Sequence, residues 1–158
     1  MSVWDSLVGQ KPVIDMLSRI AQGDPSQITQ SWLICGPPGS GRSNMARAFA
    51  AALESPDHGM SAEPTRVTQQ VLAGTHPDVT VLTTNKVTIG IDQVREIITT
   101  SEQMPATAPW RIIIIEDVDR IHHQCRAKSG AACGPTRRRP YRHRQVVRHR
   151  RTGYVRPR

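Results

Sequence analysis

No apolar run in this 158-residue chain is long enough to span a bilayer. The N-terminus, M-S-V-W-D-S-L-V-G-Q, lacks a basic stretch leading into an apolar core, so it does not read as a secretory signal and a cytoplasmic location is expected. Cysteine is scarce: Cys35, Cys125 and Cys133 stand far apart with no C-x-x-C spacing. That argues against both a disulfide framework and a zinc site. Acidic residues are missing altogether after residue 121.

This last absence divides the chain. Residues 1–121 hold nine Lys and Arg against thirteen Asp and Glu, a net of −4. Residues 122–158 hold twelve Lys and Arg and no acid, a net of +12. The second part has almost no large aliphatic residues and no apolar periodicity, so it cannot bury enough surface to fold alone. The expected organisation is one α/β domain over 1–121 and an Arg-rich, unstructured tail over 122–158. Such a tail can bind nucleic acid through phosphate contacts. Tyr141 and Tyr154 are candidates to stack on bases.

What is present in the first part is more specific. Residues 36–43 read G-P-P-G-S-G-R-S. The phosphate-loop pattern is G-x-x-x-x-G-K-[ST], and Arg42 stands in its lysine slot. Glycines let the backbone curl so that its N–H groups converge on an anion, and the following helix adds its unpaired donors. Gly36, Pro37, Pro38, Gly39, Ser40, Gly41, Arg42 and Ser43 are therefore candidate nucleotide contacts. Ser43 is the candidate magnesium ligand of the loop. Arginine keeps the charge of lysine but brings a planar fork with a different reach. S-W-L-I-C at 31–35 leads in as a short strand, and the Ala-rich segment 44–54 leads out as a helix.

The remaining elements alternate. Apolar spacing predicts a helix after Pro12 that ends near Ile20, with a turn at 23–25. A polar stretch follows at 55–66, then a short helix over 67–73 closed by Gly74. D-V-T-V-L-T at 78–83 reads as a strand, and 91–102 as an amphipathic helix with Asp92 near its start. Residues 111–115, R-I-I-I-I, read as a strand buried on both faces. Glu116 and Asp117 follow at its carboxyl end, where open α/β sheets place ligands. In nucleotide-binding sheets acids at this position hold magnesium and orient water.

Five ordered segments carry a resemblance: L-V-G-Q at 7–10, W-L-I-C-G-P-P-G-S-G-R-S at 32–43, A-G-T-H-P-D at 73–78, I-G-I-D-Q-V-R-E at 89–96 and I-I-E-D-V-D-R at 114–120. Together they resemble the delta-prime subunits of bacterial DNA polymerase III, clamp-loader components of the AAA+ superfamily. The resemblance implies an incomplete AAA+ nucleotide-binding domain, a parallel sheet with flanking helices. It puts Val8, Gly9 and Gln10 near an adenine. It implies the other clamp-loader subunits, the sliding clamp and primed DNA as partners, and no membrane. Delta-prime subunits act as the stator of the loader. With Arg42 in the lysine slot and the acids ordered Glu116-Asp117, ATP with Mg²⁺ is a doubtful cofactor and efficient hydrolysis is not expected.

Three departures accompany the resemblance. Many relatives bind zinc through four cysteines in the segment corresponding to 55–66; here it has none, so no structural zinc is expected. The N-A-L-L-K helix and the S-R-C motif are not found after residue 121, and neither is the collar domain. Finally, in the AAA+ sheet the first strand lies beside the fourth, which is among the parts not found. Trp32–Cys35 would then have an unpaired edge, an aggregation hazard.

Three other classes are compatible with these residues: an active AAA+ ATPase such as a motor subunit or helicase, a nucleic-acid-binding protein using its basic tail, and a remnant of a broken gene. Out-of-frame reading of GC-rich DNA yields Arg, Pro, Ala, Gly and His in the manner of the tail. Read one base out of frame, codons for His122-His123-Gln124-Cys125 can encode T-T-N-A. We therefore expect the gene sequence to show a single-base change near codon 122 whose correction restores a clamp-loader continuation. If no such change restores one, the frame-shift reading fails.

Overall fold

The computed structural model describes residues 2–24, 28–83, 89–117 and the backbone of 143–151. The elements run α1 (Lys11–Gln22), β1 (Ser31–Gly36), α2 (Arg42–Glu54), α3 (Arg66–Ala73), β2 (Val79–Leu82), α4 (Ile91–Glu102), β3 (Trp110–Ile115) and β4 (His143–Arg151). No helix among the described residues is long and apolar enough to cross a membrane.

The helices start and stop for local reasons. α1 opens with proline in its first turn, where a missing N–H costs nothing. In α3, the Thr65 hydroxyl accepts the Thr68 N–H at 3.2 Å, and Gly74 ends the helix at φ 73°. In α4, Gln93 reaches back to accept the Gly90 N–H at 3.2 Å, and Asp92 sits in the first turn. α2 differs from these three. From Met45 to Glu54 every residue but Arg47 is buried, because alanine at five of those positions lets neighbours approach from all sides. α1, α3 and the sheet pack around it, with Trp32 meeting Phe49 edge to face at 5.4 Å.

The sheet has the order β1-β4-β3-β2. β2 and β3 are parallel, with Val79 opposite Ile112 and Leu82 opposite Ile115. The isoleucine run is buried on both faces, as its composition predicts. Ile112 and Ile114 join the cluster around α2, while Ile115 packs with Ile89, Val94 and Ile98 beneath α4. Burying each of these isoleucines contributes roughly 2 kcal/mol.

One strand of the sheet, β4, comes from the tail. Sequence composition gives 122–158 no element, and the resemblance leaves β1 without its usual neighbour. Instead His143–Arg151 lies between β1 and β3, antiparallel to both. β1, β3 and β2 consequently run in one direction. A ladder is made by backbone groups, so a segment too polar to form a core can still pair with two open edges. Val146 and Val147, the adjacent aliphatics of the tail, stand opposite Leu33 and Trp32 on one side and Ile115 and Ile114 on the other. Tyr141, Tyr154, Cys125 and Cys133 lie outside the described residues.

One buried ion pair fastens the strand starts. Asp78 is fully buried. Its carboxylate accepts the backbone N–H groups of Ala106 (2.6 Å), Thr107 (2.8 Å) and Ala108 (3.1 Å), the Thr107 hydroxyl (2.9 Å) and Arg111 Nη1 (3.1 Å). Arg111 also donates to the Pro77 carbonyl at 2.9 Å and to Gln103 Oε1 at 2.8 Å. Burial pushes the Asp78 carboxyl up, but these hydrogen bonds outweigh it and hold it below the usual carboxylate range.

The polar stretch at 55–66 is tied together by another carboxylate. Asp57 accepts from the Ser55 hydroxyl, the Ser61 N–H at 3.0 Å and the Gly59 N–H at 3.4 Å. Burial pushes its carboxyl up, but these bonds together outweigh it and hold it at about 2. The N-terminal segment docks on this loop, with the Val3 N–H on the Gly59 carbonyl at 3.1 Å and Trp4 Nε1 on the His58 carbonyl at 3.3 Å.

The opposite case is Glu54, at the end of α2. It is 3% exposed, and neither carboxylate oxygen has a hydrogen-bond partner. Burial, reinforced by the Asp78 charge, pushes its carboxyl up to about 8; the nearby Trp110 backbone N–H offsets part of this.

Two predictions concern stability. Asp78→Ala strands three backbone donors and a buried guanidinium, whereas Arg111→Met leaves Asp78 its backbone donors. In urea melts we expect Asp78→Ala to cost on the order of 4–5 kcal/mol and Arg111→Met on the order of 2–3 kcal/mol. Equal losses would rule out the backbone bonds as the larger share. For Glu54 the sign follows from a raised carboxyl: the unfolded chain ionises near 4.5 and the folded chain near 8. Its contribution is present below about pH 4.5 and lost as pH rises through about 8, on the order of 3–5 kcal/mol in all. Glu54→Gln is expected to flatten that alkaline decline, and an unchanged decline would assign it to other groups.

Candidate functional site

β1 delivers the chain into the loop at 36–43, and α2 carries it away. Gly39 and Gly41 have φ of 76° and 78°, left-handed values that glycine adopts without strain. The Ser40 N–H closes a turn on the Pro37 carbonyl at 3.2 Å. α2 begins at Arg42, two residues earlier than its alanine content indicates, so Arg42 and Ser43 belong to its first turn. The N-cap is Gly41, and no side chain caps the helix. The helical ladder starts with the Met45 N–H on the Gly41 carbonyl at 2.9 Å.

The inside of the loop holds its own side chains. A Cβ on Gly36 would lie 2.6 Å from Ser40 Oγ and 3.5 Å from Cγ and Cδ of Arg42. Glycine at 36 therefore makes room for a hydroxyl and the stem of the arginine. Ser40 Oγ and Arg42 Nη1 are both buried without a hydrogen-bond partner among the described residues. Both carry protons to donate. Leaving a buried donor unpaired costs about 1–3 kcal/mol. An anion in the loop would relieve both at once, so these residues fit a phosphate group.

Glu116 and Asp117 follow β3 at the carboxyl end of the sheet. The Glu116 N–H continues the ladder to the Leu82 carbonyl at 3.0 Å. Its carboxylate is paired with Arg47 Nη2 at 3.3 Å, both side chains partly exposed. Asp117 then turns the chain at φ 50°, a left-handed value that aspartate tolerates better than most residues. Sequence reasoning offers both acids to magnesium and does not foresee Arg47. The visible signal was a lone cation in the alanine run of α2. A metal ion on Glu116 would compete with this ion pair. Among the described residues, no group of three or more His, Cys, Asp or Glu is placed to hold a metal.

Val8, Gly9 and Gln10 lie just before α1. Gly9 and Gln10 both have left-handed backbones, φ 80° and 52°, and the Gln10 carbonyl accepts the Val13 and Ile14 N–H groups. Val8 is 97% exposed, an apolar surface with no neighbour among the described residues to cover it. Residues 118–120, which end the last resembling segment, lie outside the described residues.

Three strands running in one direction between helices, a glycine loop feeding a buried helix, and acids closing a central strand form an α/β architecture of the AAA+ type. Residues 9–127 match the family model for DNA polymerase III, delta subunit. No curated protein and no solved structure matches the chain. The family match spans about three quarters of the sequence, and the chain belongs to the DNA polymerase III delta subunit family. Membership puts it in the context of DNA replication and the clamp-loader complex of that polymerase. The compositional break near Ile121 falls inside the matched span.

Proposed function

We propose that this chain is a delta-prime-type clamp-loader subunit that holds a nucleotide phosphate in the 36–43 loop without turning it over. Its partners on this reading are the other clamp-loader subunits, and through them the sliding clamp and primed DNA. The observation that carries the reading is the pair of buried, unpartnered donors inside the loop, Ser40 Oγ and Arg42 Nη1. On this reading they hold the anion, a phosphate of the nucleotide. The left-handed Gly39 and Gly41 and the uncapped start of α2 support the same placement. The exposed Val8 offers an apolar contact for an adenine.

Two features count against hydrolysis. Arg42 replaces a compact ammonium with a planar fork whose stem lies along Gly36. Glu116 spends its carboxylate on Arg47. Mg²⁺ would arrive with nucleotide and be shared by Ser43 with Glu116 or Asp117, at the expense of that pair. The 55–66 loop, where the resemblance puts zinc in many relatives, is closed here by the hydrogen bonds of Asp57, and we read it as metal-free.

The test is nucleotide titration and steady-state turnover on the full chain. We expect weak binding of ADP and ATP with Mg²⁺ and no turnover above background. Arg42→Ala should weaken binding at least tenfold, about 1.4 kcal/mol. A turnover rate that vanishes on Asp117→Ala would make the subunit an active ATPase and defeat the proposal.

A further inference from the structure

α2 joins two different places. Its N-terminus opens the glycine loop, and its C-terminus, about 20 Å away along thirteen residues, forms the floor of a groove of about 800 Å³. The walls of this groove are largely apolar, with Leu53, Val67, Pro77, Pro109 and Trp110 among the lining residues. On its floor lies Glu54, 97% buried, both carboxylate oxygens without a hydrogen-bond partner. His58 also lines the groove, and its Nδ1 is buried and unpartnered as well.

Such an arrangement is costly for a purely structural residue. A buried carboxyl without partners forfeits several kcal/mol of hydration that leucine or methionine would never have had. The other buried carboxylate of the region, Asp78, is satisfied by five donors. Among the described residues Glu54 has no such set, only the nearby Trp110 backbone N–H, yet it faces space large enough for a side chain or small ligand.

We propose that this groove receives an arginine side chain presented by a partner protein, with Glu54 as its counter-ion. The chemistry selects that group. Two unpartnered oxygens on one carboxylate match the two parallel N–H groups of a guanidinium. The methylene stem and planar head find apolar and aromatic wall in Pro109 and Trp110. Among the described residues no rival cation is in place. Arg66, at the rim, is exposed and makes no ion pair with Glu54 among the described residues. His76 accepts the Asp78 N–H at Nδ1 (3.2 Å), and burial holds it below its ordinary value, against the pull of Asp78, so it stays neutral. Arg111 is engaged by Asp78. The site is separate from the glycine loop and does not depend on nucleotide being bound there.

Binding is coupled to a proton. The groups around Glu54 are His58 of the connecting loop, Arg66 of α3, and His76, Asp78 and Arg111 of the strand starts. With its carboxyl raised to about 8, Glu54 is mostly protonated at pH 7 and mostly ionised at pH 9. A guanidinium needs the ionised form, and apparent affinity scales with the fraction that is competent.

The experiment is calorimetric titration of the full chain with a blocked Gly-Arg-Gly tripeptide, repeated with Gly-citrulline-Gly, which has nearly the same shape but no charge. We expect binding of the arginine peptide to tighten about tenfold from pH 7 to pH 9, with release of up to one proton, as the competent fraction rises. The citrulline peptide should bind at least tenfold more weakly at pH 9. Glu54→Gln, whose fold is checked by circular dichroism, should lose both the preference and the pH dependence. Binding that ignores the charge of the peptide, that survives Glu54→Gln unchanged, or that cannot be detected at 10 mM peptide (roughly the weakest affinity worth calling a site) would overturn the proposal. These outcomes are independent of nucleotide titration at the loop, so the two readings stand or fall separately.

Discussion

The ion pair between Asp78 and Arg111 is the constraint on which the sheet end depends. It joins the residue before β2 to the second residue of β3, and those are the two strands that are parallel neighbours. Parallel strands have no hairpin to set their register. Here the register is set by a side chain: Arg111 grips Asp78 and the Pro77 carbonyl, and Asp78 in turn gathers the backbone of 106–108. The loop between α4 and β3 is thus wound onto a single carboxylate. A one-residue slip of β3 would turn the isoleucine run over. It would also drag Arg111 away from a fully buried charge, and the second penalty is the larger.

The same pair shapes what happens one layer away. The Asp78 charge is satisfied, but its field still reaches Glu54 and adds to the effect of burial. Two carboxylates near one helix end thus behave in opposite ways. Donors hold Asp78 ionised; burial, only partly offset by the Trp110 backbone N–H, keeps Glu54 protonated. α2 carries this contrast to its far end, where Ser40 and Arg42 are donors without acceptors. One helix therefore has unsatisfied donors at its start and unsatisfied acceptors at its finish. That pattern is more than a defect of packing, because the alanines between them pack with nearly no exposure.

Much of this fold was legible in the sequence, and the legible parts share a cause. Periodicity, proline and glycine gave the helices α1, α3 and α4, because those signals are local. The isoleucine run gave a buried strand for the same reason. α2 started two residues earlier than its alanine content indicated, since Gly41 permits the helix to begin directly on the loop. β4 was not legible. Its residues carry no core-forming pattern, and what selects them is a pair of open edges formed by strands more than 25 residues earlier. Glu54 was also hidden: in sequence it is a common helix-ending acid, and only the packing of α3 and β3 makes it buried. Asp78 read as a strand residue within a resembling segment, while its partner lies 33 positions on.

The candidate site divides along the same line. The glycine loop is a local device and could be read directly. The pairing of Glu116 with Arg47 spans 69 positions and could not. That pairing matters for how the loop is understood. An acid at the end of β3 is available to a metal only if no protein cation holds it first, and here one does. An arginine in the lysine slot is available to a terminal phosphate only if its head is free to move, and here its stem lies along Gly36. Each departure taken alone leaves room for catalysis by the other. On the function proposed above, the two together remove the mobile cation and commit the nearer acid, so the loop would keep binding energy for a phosphate without the means of polarising it.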